Sequence, residues 1–347
     1  MRTFVSKFVC IFLTAWLALS LGKASADTRP TPSTQDTIAA LSRANAAVVG
    51  VRVNVSKEAG SAETLGQKRS GSGVVIGPDG LVLTIGYLML EASSIEIVTS
   101  NQKTLPARAV AYDLATGFGL IKPLLPLGDV QPVPLGSLSD LSPGQALMTA
   151  TGAQADGNAA GVAMTQMVSK RAFSGYWEYH IDAAVFTSPP INHHSGAPLF
   201  NQRGELVGIG SLFVADAMGA NQRLPGNMFV PVDLLKPILS EMQQTGSSKF
   251  SRRPWLGLNS TDQVGRVQVV RVNKEGPAQA AGLQPGDMVL AVNGSKVATL
   301  EAFYKKIWDH TQPEVEISLT VLQGADLKII KLKAVDRMST LRKPEGI

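Results

Sequence analysis

The sequence predicts a mainly β protein of two successive antiparallel barrels followed by a separate C-terminal module. Three observations carry this. From Ala46 to Val230 the apolar pattern has period two, in short β-branched runs separated by Gly, Pro, Asp and Asn turns, the pattern of a barrel or sandwich. A break at Pro132–Pro143 divides those runs into two sets. The polar, Gly/Ser-containing stretch Gln243–Arg253 then sets off a last segment with different patterning.

The chain of 347 residues has room for two or three domains with their own cores. Its start reads as an export signal over residues 1–26: Arg2 and Lys7 are basic, Phe8 to Leu21 is apolar, and Ala24-Ser25-Ala26 is a small-residue cleavage site. The apolar run is short for a permanent span, so contact with a membrane is expected only if this signal stays uncleaved as an anchor. Without Arg2, Lys7 and Lys23, the 32 basic residues become 29 against 27 acidic ones, so nothing suggests a nucleic-acid footprint. The single cysteine, Cys10, lies inside the signal, which excludes disulfides, thiolate metal sites and cysteine catalysis from the exported part.

Residues 27–33 read as a lead. Ser33 with Asp36 forms a capping box for a small helix ending near Asn45, with Ile38 and Leu41 as its apolar face. The first strand set is Val48–Val55, Gly73–Ile76, Leu81–Thr84, Ile95–Val98, Ala107–Tyr112 and Phe118–Ile121. The second is Gln145–Ala150, Ala163–Val168, Gly175–His180, Ala184–Phe186, Leu206–Leu212 and Met228–Val230. Pro231 to Met242 reads as an amphipathic helix closing this domain at about residue 244, with residues 245–253 as linker. In the last segment, 254–336, Pro277 and Gly282 bracket a helix, Asn293-Gly294 is a hairpin turn, and Thr299 caps a helix carrying Leu300, Phe303 and Ile307 on one face. Residues 337–347 read as a solvated tail.

The stretch from Ala184 to Gly210 holds the chemistry. Two β-rich runs, Ala184–Phe186 and Leu206–Ile209, flank a loop with His193, His194, Ser195 and Gly196. Ser195-Gly196-Ala197-Pro198-Leu199, followed by Gly204-Glu-Leu-Val-Gly-Ile209, resembles the nucleophile region of trypsin-like serine proteases, and within them the HtrA branch of bacterial envelope proteases. The resemblance extends to Phe229-Val-Pro-Val-Asp233 and to 254–336, which looks like a PDZ domain of the HtrA type. It implies a trypsin-like double β-barrel with a C-terminal PDZ domain, in a protein exported to the bacterial periplasm and assembled as a homotrimer.

The same resemblance places the catalytic positions, and this chain departs from the pattern at each partner of Ser195. In the family a strand ending Leu-Thr-x-x-His supplies the general base; here Gly80-Leu-Val-Leu-Thr84 leads to Tyr87 at that position. The orienting acid is replaced by Gly117, while Asp113 matches an upstream, structural acid. The glycine two before the serine, which lets a backbone N–H face an oxyanion, is His193, and the loop from Asn192 through His193 and His194 to Ser195 looks one residue short. A phenol with an ordinary pKa near ~10 is a poor base at neutral pH. The expectation is a catalytically inactive relative. The alternative is an active endopeptidase in which Ser195 uses an unorthodox base such as His180, His193 or His194.

No cofactor is expected, and no metal, because His180, His193, His194 and His310 lack helical i, i+4 spacing. In the PDZ-like segment Trp255-Leu256-Gly257-Leu258 matches the family's loop that receives a peptide's terminal carboxylate through backbone N–H groups. A bound segment of an envelope protein would add beside Leu258–Ser260, facing Phe303 and Ile307. Trp255 and Leu258 also fit plain core positions, and both readings can hold together. Cleavage at the signal predicts a mature chain starting at Asp27, and N-terminal sequencing of exported protein should find that residue first.

Overall fold

The computed structural model describes residues 32–153, 160–220 and 222–342; the proposed signal lies outside them. Helix α1 (Thr34–Ala46) starts where the capping box predicts, with the Ser33 side chain accepting from the Asp36 N–H at 3.2 Å. Its buried residues are Ala40 and Ala44, whereas Ile38 is 59% exposed. The reason is proximity: a Cβ on Gly204 would meet the Ala40 carbonyl oxygen at 2.6 Å, so only small residues fit beneath the helix.

The first barrel comprises β1 (Val48–Val55), β2 (Lys68–Val75), β3 (Val82–Ile85), β4 (Ala92–Val98), β5 (Thr104–Tyr112) and β6 (Phe118–Pro123), closed in the order β1-β2-β3-β6-β5-β4. A one-turn helix, α2 (Ala62–Leu65), sits in the β1–β2 connection. The second barrel comprises β7 (Ala146–Thr151), β8 (Gly161–Gly175), β9 (Tyr179–Ser188), β10 (Pro198–Phe200), β11 (Leu206–Val214) and β12 (Gly226–Pro231), closed as β10-β11-β12-β9-β8-β7. Closure removes free sheet edges; one apolar core draws on both barrels from Ala44 to Met242, and a smaller one inside the second barrel gathers Leu147, Val185, Leu199 and Phe229.

Two readings need correction. Gly175–His180 is not a strand. Residues 176–178 form the turn between β8 and β9, because Glu178 takes a left-handed backbone (φ 57°) and ends the extended run. The helix read from Pro231 to Met242 is also shorter: a 3-10 turn at Val232–Leu234 precedes α3 (Leu239–Thr245), since Pro237 has no N–H to give the ladder.

The C-terminal domain is built from β13 (Pro254–Trp255), β14 (Leu258–Gln263), β15 (Arg266–Val272), α4 (Pro277–Ala280), β16 (Met288–Val292), β17 (Ser295–Lys296), α5 (Leu300–Ile307), β18 (Glu316–Gln323), β19 (Asp326–Lys333) and β20 (Val335–Asp336). Its sheet runs β14-β15-β16-β18-β19, with β17 on β16 and a separate β13–β20 ribbon. The start of the tail is not loose: α6 (Arg337–Thr340) follows β20, and the Arg337 guanidinium lies 4.2 Å over the Trp255 ring.

The interdomain connection is pinned by one buried carboxylate. Asp113, in the β5–β6 turn, accepts from the Thr116 N–H and hydroxyl (2.9 and 2.6 Å) on one oxygen. On the other it accepts from the Ser248 N–H (3.2 Å) and the hydroxyls of Ser248 and Ser251 (both 2.5 Å). Each donor stranded by Asp113→Ala costs about 1–3 kcal/mol. The substitution should lower unfolding stability by roughly 3 kcal/mol, read as a lower urea midpoint, while Asp113→Glu, which keeps the charge, should lose less.

Candidate active site

Ser195 sits at the junction of the barrels, and close backbone packing fixes it there. The Ser72 N–H donates to the Ser195 carbonyl (2.9 Å), and the Gly196 N–H donates to the Gly210 carbonyl (2.8 Å). Gly196 has φ 73°, and a Cβ there would collide with the Ser72 carbonyl oxygen and the Thr84 hydroxyl. Gly71 and Gly210 are hemmed in the same way by the carbonyls of Ser195 and His194. Behind the loop, the Asn227 amide clamps Ile191, accepting from its N–H at 2.7 Å and donating to its carbonyl at 3.2 Å.

Tyr87 lies directly on the serine. Its hydroxyl is 2.7 Å from Ser195 Oγ and 3.0 Å from the Ser211 carbonyl oxygen. A carbonyl can only accept, so when the single phenol proton is on Ser211 the serine hydroxyl donates to Tyr87. Desolvation pushes the phenol up to about 12, with the Ser195 hydrogen bond pulling weakly the other way. This side chain therefore holds the serine proton in place but does not remove it. Tyr87 is held in turn by Arg69, a residue that belongs to no motif. The buried Arg69 guanidinium donates to the carbonyls of Tyr87 and Leu90 (3.0 and 2.9 Å) and to the Ser61 hydroxyl (2.8 Å).

Gly117 comes within reach of this centre but brings no charge. Its carbonyl accepts from the Gly86 N–H at 2.7 Å, which couples the turn before β6 to the turn carrying Tyr87. It has φ 83°, and the nearest atom to a Cβ there would be the Tyr179 hydroxyl at 3.6 Å. A cavity of about 50 Å³ lies beside it, walled in part by Tyr87, Trp177, Tyr179 and Ser211.

The histidines are spread out. His180, on β9, is buried, with Nδ1 2.8 Å from the Ser174 hydroxyl and Nε2 3.2 Å from Asp182. His180, Asp182 and Glu301 bring their ligand atoms close together, as a metal site would. Lys305 Nζ already lies 2.7 and 2.8 Å from the two carboxylates, however, which fills that role with an ammonium. His193 is exposed; His194 is partly buried, and desolvation lowers its pKa. His310 sits near Asn293 in the C-terminal domain, with 3.4 Å between their side-chain nitrogens.

In the C-terminal domain, within Trp255–Leu258, Gly257 has φ 82°, and a Cβ there would sit 3.2 Å from the Trp255 ring. Leu256, Leu258, Phe303 and Ile307 are all core residues. The loop's N–H groups are engaged. Leu256 donates to Glu178 Oε2 at 3.0 Å, while Gly257 and Leu258 each donate to Oε1 at 2.8 Å. Burial pushes the Glu178 carboxyl up to about 7, against the pull of those three donors and of Arg337. Sequence reasoning missed Glu178; its only local signal is a lone acid inside the aromatic run Tyr176-Trp-Glu-Tyr179.

Residues 71–209 match the trypsin-like peptidase domain family, and residues 254–334 match the PDZ domain family. This chain is similar to the HtrA-type serine proteases. A probable periplasmic serine endoprotease, DegP-like, of Hahella chejuensis is 27% identical over 274 residues, covering 74% of this chain and 55% of its own. Protease Do-like 1, chloroplastic, of Arabidopsis thaliana is 28% identical over 280 residues, covering 74% of this chain and 61% of its own. The chain thus spans little more than half the length of these relatives. Among solved structures, the HtrA-type protease AlgW with tripeptide shares the fold at a TM-score of 0.53 and 20% identity, over 90% of this chain and 98% of that one. The serine endoprotease from Yersinia pestis does so at 0.52 and 20%, over 88% and 99%. Among the described residues no helix is long and apolar enough to cross a membrane.

The phenol gives the site a pH signature. A base with a raised pKa stays protonated, so any hydrolysis routed through Tyr87 would climb with pH all the way toward 12. Esterase activity of the purified protein is expected to stay at buffer background and flat from pH 6 to pH 10, with Tyr87→Phe indistinguishable.

Proposed function

We propose that the protein is a catalytically silent HtrA-type envelope protein that holds peptide or protein segments through its PDZ domain. The observation that supports silence most directly is the contact of Tyr87 with Ser195 at 2.7 Å. Nucleophilic catalysis by a serine needs a neighbour that takes its proton and a third group that orients that neighbour. The neighbour here is a neutral phenol whose pKa moves the wrong way, and the third position is a glycine. Loss of the base alone costs on the order of a millionfold in subtilisin. At about 1.4 kcal/mol per decade, that is roughly 8 kcal/mol of barrier.

Peptide binding is supported by the preserved loop geometry, with Gly257 in the left-handed region and three successive N–H groups converging on one carboxylate. The named relatives are periplasmic and chloroplast proteases, which is the basis for assigning this chain to the bacterial envelope.

The purified protein should neither cleave casein above background nor react with a fluorophosphonate probe. Tyr87→His with Gly117→Asp should recover little, because the loop in front of Ser195 is unchanged. Adding a family-like Gly-Asn before Ser195 should recover much more. Robust casein cleavage by the unaltered protein, abolished by Ser195→Ala, would overturn this reading in favour of an endopeptidase with an unorthodox base.

A further inference from the structure

We infer that the tip of the β8–β9 hairpin, Tyr176–Glu178, is an internal ligand of the PDZ groove, and that an extended peptide with a free C-terminal carboxylate binds only by displacing it. The inference rests on the peptide-binding reading proposed above and adds a gate to it.

Recognition of a chain terminus by this kind of domain has two anchors: a carboxylate in a nest of backbone N–H groups, and an added strand along the sheet edge. The hairpin tip supplies the first and one backbone rung of the second. The Glu178 carboxylate takes the three N–H groups of Leu256, Gly257 and Leu258. Two residues earlier, the Tyr176 carbonyl accepts from the Ser260 N–H on β14 at 2.8 Å. The polarity matches too. Tyr176 lies opposite Ser260 and Glu178 opposite Leu258, so the tip runs antiparallel to β14 with its carboxylate at the leading end. From the other wall of the groove, α5, the Tyr304 hydroxyl donates to the Gly175 carbonyl at 2.8 Å and accepts from the Glu178 N–H at 3.3 Å.

Ordinary packing between domains does not call for this arrangement. Glu178 is only 4% exposed and holds φ 57°, a region a non-glycine residue enters at a cost. A buried carboxylate is stable only where donors meet it, and the donors that meet it are the ones the loop directs at a terminus. Both oxygens are engaged, and no incoming carboxylate can reach those N–H groups while Glu178 is there. A ligand tethered in the same chain acts at an effective concentration in the millimolar range, so a tip with an intrinsic Kd of about 0.1 mM for the groove weakens a competing peptide by about tenfold.

The test is fluorescence anisotropy of a fluorescein-labelled decapeptide ending in valine, as free acid and as amide, on the purified full chain. Glu178→Ala is expected to bind the free acid at least about tenfold more tightly than the unaltered protein, with no comparable gain for the amide. Tyr304→Phe, which loosens the tip, should give a smaller gain in the same direction. If Glu178→Ala does not fold, Glu178→Gln makes the same comparison. In parallel, acetate titrated into the Glu178 variant should shift the amide resonances of Leu256, Gly257 and Leu258, and should not do so in the unaltered protein. Equal, tight binding of the free acid with and without Glu178 would overturn the gate and leave the peptide-binding reading standing. A loop that fills with acetate but binds neither peptide in any variant would overturn both, making the tip a permanent seal.

Discussion

Three consecutive N–H groups aimed at one point cannot be left bare in a protein interior; each needs an acceptor, and together they favour an anion. In this chain the anion is the side chain of Glu178, reached across from the second barrel. Much of the arrangement between the two parts depends on that contact. Arg253 lies 3.7 Å over the Trp308 ring and donates to the carbonyls of Leu114 and Glu178, and Lys305 bridges Asp182 and Glu301 across the same seam. Together with Asp113, which holds Ser248 and Ser251, these contacts make the connecting segment a docked strap rather than a free tether.

The serine centre is held by close backbone packing on one side and by a phenol on the other. The glycines around Ser195 still permit the close approaches that hold the loop, and Asn227 and Arg69 still brace its surroundings. What differs is the proton traffic. A phenol bonded to both the serine and a carbonyl is a good structural clasp, because it can donate and accept at once. The same two bonds and the same burial that make it a clasp also hold its proton.

Much of this was legible in the residues. The Ser33–Asp36 cap, the first strand set, the Pro277 helix start, the Asn293-Gly294 turn and the Thr299 cap are local signals, and each sits where local chemistry places it. Tyr87 and Gly117 could be singled out because a matching motif surrounds them. What escaped was non-local or conflicted. The run around Trp177 is aromatic and reads as strand, yet Glu178 turns it to meet donors that lie 78 to 80 positions later in the chain. The apolar face of α1 was legible only in part: Leu41 packs on the core, but Ile38 is exposed and Ala40 is the residue that lies against Gly204. Arg69 carries no motif at all; its role appears only once the carbonyls of Tyr87 and Leu90 are folded around it.

The length of β8 has a mechanical meaning. Ten of its residues, Gln166–Gly175, pair with β9, and at about 3.3 Å each they make a ribbon of roughly 33 Å, rooted in the second barrel and ending in the PDZ groove. A ribbon of that length is a beam, and a beam bends where it is weakest. The β8–β9 ladder slips register twice, between Met167 and Ser169 and between Arg171 and Phe173, so those two positions are its built-in flexure points. Prying the tip loose would rotate Trp177 and Tyr179, which line the cavity beside Tyr87 and Gly117. Load applied at a chain terminus in one domain would thus arrive as a change of shape beneath Ser195 in the other.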